Sequence, residues 1–102
     1  MNEQPAAPGA DGPVAAAVAD LASTLGIAPS GVTVRSLEDV TWRDGSLGCP
    51  APGMMYTQAL VAGSRLVLEA AGETYEYHAA AGGPFFHCPN PAPPFRGHSA
   101  AR

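Results

Sequence analysis

Between Trp42 and Leu60 the chain reads WRDGSLGCPAPGMMYTQAL, and no regular element accommodates that order of residues. Gly45, Gly48, Pro50 and Pro52 punctuate a run of bulky apolar groups. Pro removes an amide donor and fixes φ, while Gly permits φ values closed to other residues, so this stretch reads as a shaped loop held in one backbone conformation. The constraint on the fold is strong. Whatever core forms must be assembled from the residues on either side, and the loop must be carried by it. Loops of defined shape on small domains serve binding more often than they serve packing.

The flanking residues supply that core. Val14, Val18, Leu21 and Leu25 recur at i, i+4, i+7 and i+11, which predicts an amphipathic helix over 13–25. Asp11 is placed to cap it, Pro13 suits its first turn, and Gly26 suits the left-handed position that follows its end. After the turn Pro29-Ser30-Gly31, Val32 and Val34 alternate with Thr33 and Arg35 as in a half-buried strand. Leu37, Val40 and Trp42 continue it with the opposite parity, which predicts a bulge between Ser36 and Asp39. Thr57 to Val61 reads as a short strand ended by Ala62-Gly63. Arg65–Glu69 and Thr74–His78 flank Ala70-Ala71-Gly72-Glu73 as a hairpin. An even-numbered loop there sets Leu68 against Tyr75 and Leu66 against Tyr77, with Glu69, Thr74, Val67, Glu76, Arg65 and His78 on the opposite, outer face. The expected fold class is α+β: one N-terminal helix packed on a small, mostly antiparallel sheet of three or four strands, with a long Gly/Pro-rich loop.

The ends have a different character. Residues 1–12 are rich in Pro, Ala and Gly and read as a flexible lead-in. From Gly83 the prolines at 84, 89, 91, 93 and 94 predict an extended, polyproline-like segment pinned near Phe85, Phe86 and Cys88. A single domain over 13–90 and a disordered Pro-rich tail over 91–102 follow. With 102 residues there is room for one core.

Charge narrows the partners. The chain has no Lys, and its five Arg are scattered, with a net charge of −4. No basic stripe exists to neutralise phosphates, so nucleic acid is not an expected partner. No apolar run approaches a membrane span, and the first residues lack both a positive segment and an apolar one, so the sequence predicts a cytoplasmic protein. An extracytoplasmic one, exported by a non-standard route, is expected if its cysteines are bridged.

Those cysteines, Cys49 in Gly-Cys-Pro and Cys88 in His-Cys-Pro, admit two readings. One is a disulfide tying the C-terminal segment to the base of the loop, which the chain-entropy model values at about 4 kcal/mol. The other is a pair of inert, half-buried thiols. Metal binding would draw on Cys49, His78, His87, Cys88 and His98, but adjacent His87 and Cys88 do not have the spacing of paired ligands, and neither a metal nor a cofactor is expected. A nucleophilic Cys49 with His78 or His87 would need a thiolate-stabilising environment, which Pro50 weakens by denying the next amide donor. Glu38, Asp39 and Asp44 read as solvated acids rather than a catalytic pair. Trp42 is expected to plug the end of the sheet beside Tyr56 or Phe86 with its indole N–H on a carbonyl, the alternative being an exposed contact. Met54 and Met55, being consecutive, should point to opposite faces, which leaves one of them outward as a contact.

The string W-x-D-G-S-L-G-C-P-x-P-G-M-M-Y-T-Q-A-L-V-x-G, with a hairpin ending Y-x-Y-H and a late Cys, resembles a widespread group of short bacterial proteins over about 14–88, a resemblance that implies no activity. Pro52-Gly53, Met55, Thr57, Arg65-Leu66, a Gly-containing hairpin and the final Cys are similar to the small elastase-inhibitor family of potato-inhibitor-like fold. That resemblance implies an extended reactive loop carried on a helix and short sheet and supported by a disulfide. The chain departs from that family in lacking a cysteine before the helix, in having Met54 where an acid follows Pro-Gly, and in needing a one-residue gap before Arg65.

The preferred expectation is therefore a non-enzymatic binding module, with peptidase inhibition as its most specific form and a protein as its partner. Its loop, 44–58, which includes Gly53, is rigidified by Pro50, Pro52 and a Cys49–Cys88 link. Asp44 shapes the turn, and Met54, Met55 and Tyr56 make the contacts. The alternatives are a thiol-redox or metal-binding protein using Cys49 and Cys88, and a structural accessory domain with an exposed patch around Trp42 and Phe86.

Overall fold

The computed structural model describes residues 12–95. The lead-in with Asp11, and the end of the tail with His98, lie outside them. Helix α1 spans Pro13–Leu25, a single 3₁₀ turn covers Pro29–Gly31, and four strands follow: β1 (Thr33–Trp42), β2 (Val61–Ala70), β3 (Glu73–Ala80) and β4 (Phe86–His87). The strands form one antiparallel sheet in the order β1-β2-β3-β4. The fold is α+β, with the helix packed against the sheet, as the hydrophobic patterning predicts.

The helix begins at Gly12, which caps it through the backbone alone, its carbonyl accepting from the Ala16 amide at 3.0 Å. Pro13 occupies the first turn, where a missing amide leaves nothing unpaired. The helix ends at Gly26, whose φ of 71° lets the Ile27 amide turn back to Ala22 O at 3.0 Å. Ala17 and Leu21 are the fully buried helical contacts to Leu66, Leu68, Ala70 and Tyr77, and Val14, Val18 and Leu25 pack at the margin. The Tyr77 hydroxyl donates to Asp20 Oδ2 at 2.7 Å and ties helix to sheet at the rim of this core.

The hairpin of β2 and β3 has the predicted register, Leu66 against Tyr77 and Leu68 against Tyr75. Its loop is two residues long, with Ala71 at φ 53° and Gly72 at φ 82°, the positive values that a tight hairpin with natural strand twist requires. The bulge in β1 lies between Val34 and Ser36, just before the expected 36–39, and leaves Arg35 as the extra residue. It sends Leu37 toward the helix side and Trp42 to the other face.

Three expectations are corrected. No strand forms over 57–60; β2 starts at Val61 and passes straight through Ala62-Gly63. Gly63 is a spacer rather than a strand end, because a Cβ there would fall on the Ala79 carbonyl and 2.6 Å from the Trp42 indole nitrogen. The fourth strand comes instead from Phe86–His87, which pairs with His78 and Tyr77. Among the described residues no helix is long and apolar enough to cross a membrane.

Candidate functional site

The face of the sheet away from α1 is not the open outer face that strand alternation implies. Trp42 and His78 lie there with no solvent exposure. Their rings stack with centroids 4.3 Å apart, and the indole N–H donates to Ala79 O at 3.0 Å. Neither Tyr56 nor Phe86 takes the place of His78 as the stacking partner. His78 Nδ1 lies 2.7 Å from the Leu47 carbonyl oxygen and Nε2 lies 2.8 Å from Glu76 Oε1, so an N–H on either nitrogen has an acceptor. Glu76 also accepts from Arg65, whose Nη1 reaches Glu38 at 3.1 Å. The Arg65 guanidinium holds the Glu76 carboxyl below the usual carboxylate range, and Glu76 in turn raises Arg65. A polar chain thus runs from Glu38 on β1, through Arg65 and Glu76, to His78 and the loop.

The loop is fixed on this second core. Asp44 Oδ1 accepts from the Ser46 hydroxyl at 2.6 Å and the Ser46 amide at 2.9 Å, and these bonds hold its carboxyl below the usual range. The Gly45 amide donates to Thr57 O at 2.9 Å and closes the loop's two arms on each other. Leu47 and Gly48 follow with consecutive left-handed φ of 56° and 75°. For Leu47 this conformation costs on the order of 1–2 kcal/mol. It turns the Leu47 carbonyl toward His78 and lays Gly48 flat against the Trp42 ring. Cys49 then bonds to Cys88, with Cα atoms 5.7 Å apart, so the cysteine pair is a disulfide.

The start of the tail expected to be disordered over 91–102 instead straps this face as far as Phe95. The Ala92 amide donates to Gly48 O at 2.9 Å, the Phe95 amide to Thr41 O at 2.8 Å, and Pro94 is buried. Proline-rich sequence excludes helix and central strand, but it leaves carbonyls and the intervening amides free to clamp a neighbour.

The tip projects beyond this base. The Met54 amide donates to Ala51 O at 3.2 Å, Gly53 has φ 78°, and the Tyr56 hydroxyl accepts the Ala51 amide at 3.0 Å. Pro52 and Gly53 form the turn itself. Met54 is 60% exposed and Met55 93% exposed. The expectation that only one methionine faces outward assumed an extended pair; the turn takes Met54 out of that register. Asp44, Pro50, Ala51, Met54, Met55, Tyr56 and Gln58 line one open groove. Tyr56, expected as a contact, is half-buried and braces the turn from within.

Of the expected loop residues, Asp44, Pro50, Met54, Met55 and Tyr56 line this groove and Pro52 and Gly53 form the turn beside it, and their surroundings differ. Asp44, Pro50 and Cys49 belong to the base, Tyr56 to the brace, and the methionines to the surface. The rival ligand set is dispersed: the two cysteines are bonded to each other, His78 is enclosed, and His87 lies on the β4 edge beside Tyr75 and Tyr77. Among the described residues no three His, Cys, Asp or Glu side chains gather as metal ligands would. His78 is the central residue of this second core, and strand alternation places it on the right face without showing that the face is covered. The signal for it was Gly63, a glycine inside a strand, which marks a close approach on the His78 side of the sheet.

No curated protein and no solved structure matches the chain. A family model spanning residues 14–88 does match, from the first turn of the helix to the second cysteine, and the chain belongs to that family, described as a domain of unknown function (DUF8738).

Proposed function

We propose that the protein is a non-enzymatic binding module that offers residues 50–58 to a groove on a protein partner. The observation that carries this reading is the contrast within one loop: Met54 and Met55 stand in solvent while the base beneath them is buried, hydrogen-bonded and disulfide-linked. Exposed adjacent methionines on a braced turn are apolar, adaptable side chains carried on a backbone whose ordering cost has been met in advance. Among the described residues no backbone–backbone hydrogen bond engages Met55 or the Tyr56 amide, so this short run can pair with a partner's strand edge.

The most specific form of the reading is peptidase inhibition, in which the run that follows the Pro52-Gly53 turn lies in a cleft. The resemblance of Pro52-Gly53, Met55 and Thr57 to the small elastase inhibitors supports it, together with the disulfide at the loop base. Nucleic acid and membrane surfaces fit poorly, since the net charge is −4 and the arginines are dispersed. The accessory-domain alternative called for an exposed patch containing Trp42, and Trp42 is enclosed.

The test is inhibition of purified peptidases with apolar primary specificity, using the wild-type protein and the double variant Met54→Asp/Met55→Asp. Inhibition by the wild type that falls at least about a hundredfold in the variant supports the reading, a loss equivalent to about 2.7 kcal/mol. Inactivity of both proteins across the panel removes the peptidase form, and equal potency of both removes the methionines from the contact.

A further inference from the structure

We propose that Cys49 is a thiol-exchange site: a dithiol reductant attacks its Sγ, and breaking the bond to Cys88 frees the loop tip while the domain stays folded. The two cysteines differ in exposure. Cys88 is 1% exposed, whereas Cys49 is only half-buried and sits where the base of the loop meets its tip. Exchange depends on which sulfur an incoming thiolate can reach, and here the reachable one is Cys49.

The chemistry balances without further reactants. The reductant's thiolate forms a bond to Cys49 Sγ as the Cys49–Cys88 bond breaks, and Cys88 leaves as a thiolate that takes up a proton. The reductant's second thiol then displaces Cys49, which leaves as thiolate and is protonated in turn. The protein gains two thiols and the reductant becomes a disulfide. The departing Cys88 is provided for: its Sγ lies 3.5 Å from Gly48 O, an acceptor for the new S–H.

What survives the cut is set by which bonds lie on the core side of Cys49. The Leu47 carbonyl remains bound to His78, the Gly48 carbonyl to the Ala92 amide, and the Cys88 amide to Glu76 O at 2.8 Å. The strap is still held at Thr41. Past Cys49 the ties are few: the Gly45–Thr57 bond at the far arm, and the Ala51–Tyr56 and Ala51–Met54 bonds within the tip itself. Cys49 is therefore the last covalent anchor before the methionines, and its release loosens residues 50–56 in preference to the strands.

The experiment uses the wild-type protein under native conditions with a thioredoxin-class reductant whose resolving cysteine is replaced by serine, so that the first mixed disulfide persists. Peptide mapping should place the cross-link on Cys49. In a parallel sample fully reduced by the intact reductant, amide hydrogen exchange at Ala51 and Met54 should accelerate about tenfold or more, with Leu66, Leu68 and Tyr77 unchanged. Cross-linking at Cys88, resistance to reduction without denaturant, loss of protection throughout β2 and β3, or unaltered exchange in the tip would each overturn the proposal. None of these readouts involves a binding partner, so the outcome stands apart from that of the inhibition assay.

Discussion

Gly48 lies flat against Trp42: a Cβ added to it would stand 2.5 Å from Trp42 Cζ3 and 3.1 Å from His78 Cε1. The same residue has φ 75°, a left-handed value costly for any other L-residue. Gly48→Ala therefore meets two penalties at once, backbone strain and overpacking of a closed aromatic stack, each on the order of 1–3 kcal/mol. Denaturant unfolding of the variant should show a loss of about 2–4 kcal/mol with altered Trp42 fluorescence. A variant as stable as the wild type would mean that the loop does not rest on this ring.

The disulfide spans a separation of 39 residues. On the chain-entropy model, replacing both cysteines by serine should lower stability by about 4 kcal/mol. Guanidinium titration of the double variant should find the lowered midpoint with a cooperative transition retained. A multiphasic or absent transition would show that the second core cannot hold without the bond.

Glu76 sets an acid dependence. Its carboxyl is held below its unfolded value of 4.5, first by the Arg65 hydrogen bond and further by His78. A depressed carboxyl contributes stability above its unfolded value, and that contribution is lost as pH falls through the folded value. Glu76→Gln should therefore be less stable than the wild type at pH 7, with the two proteins converging as pH falls below about 4.5. Thermal melts across that range measure the gap; a constant difference at every pH would assign the loss to packing instead.

Tyr77→Phe removes the hydroxyl that donates to Asp20 across the helix–sheet interface. Burial and this bond also raise the Tyr77 phenol above its ordinary range, which keeps its donor proton in place at neutral pH. A loss of about 1 kcal/mol is expected on unfolding, and Asp20→Asn should cost less because its amide oxygen still accepts.

Met55→Asp should leave stability within about 0.5 kcal/mol of the wild type, since a side chain 93% exposed packs on nothing. The same change should abolish inhibition if Met55 enters a cleft. A large fall in melting temperature would place Met55 in the core and out of the contact.

The part of the fold set by local pattern was legible from the chain. The stripe Val14-Val18-Leu21-Leu25 located the helix, Gly26 its end, and the paired alternations around Ala71-Gly72 the hairpin register. Those signals are short in range and repeat. The second core was less legible because it assembles from distant singletons: Trp42, Gly48, Gly63, His78, Cys88 and Pro94. Alternation correctly assigned His78 to the face opposite Leu66 and Leu68, but alternation cannot say that a loop and a strap will cover that face. In the sequence Gly63 has the look of punctuation, the usual meaning of a glycine at a strand end; in the fold the indole of Trp42 occupies the space a side chain there would need. Met54 and Met55 were legible as surface candidates, but the turn that exposes both depends on the Tyr56 hydroxyl meeting the Ala51 amide, a contact no periodicity encodes.

The bonds that hold the loop's base in place run through Asp44, Gly45, Leu47, Gly48, Cys49 and Thr57, and Met54 and Met55 lend them no side chain. What the loop shows to solvent and what folds it are thereby written in separate letters of the same segment. The two methionine positions can be respelled without rewriting the domain, which makes this loop a natural cassette for grafted peptide sequences.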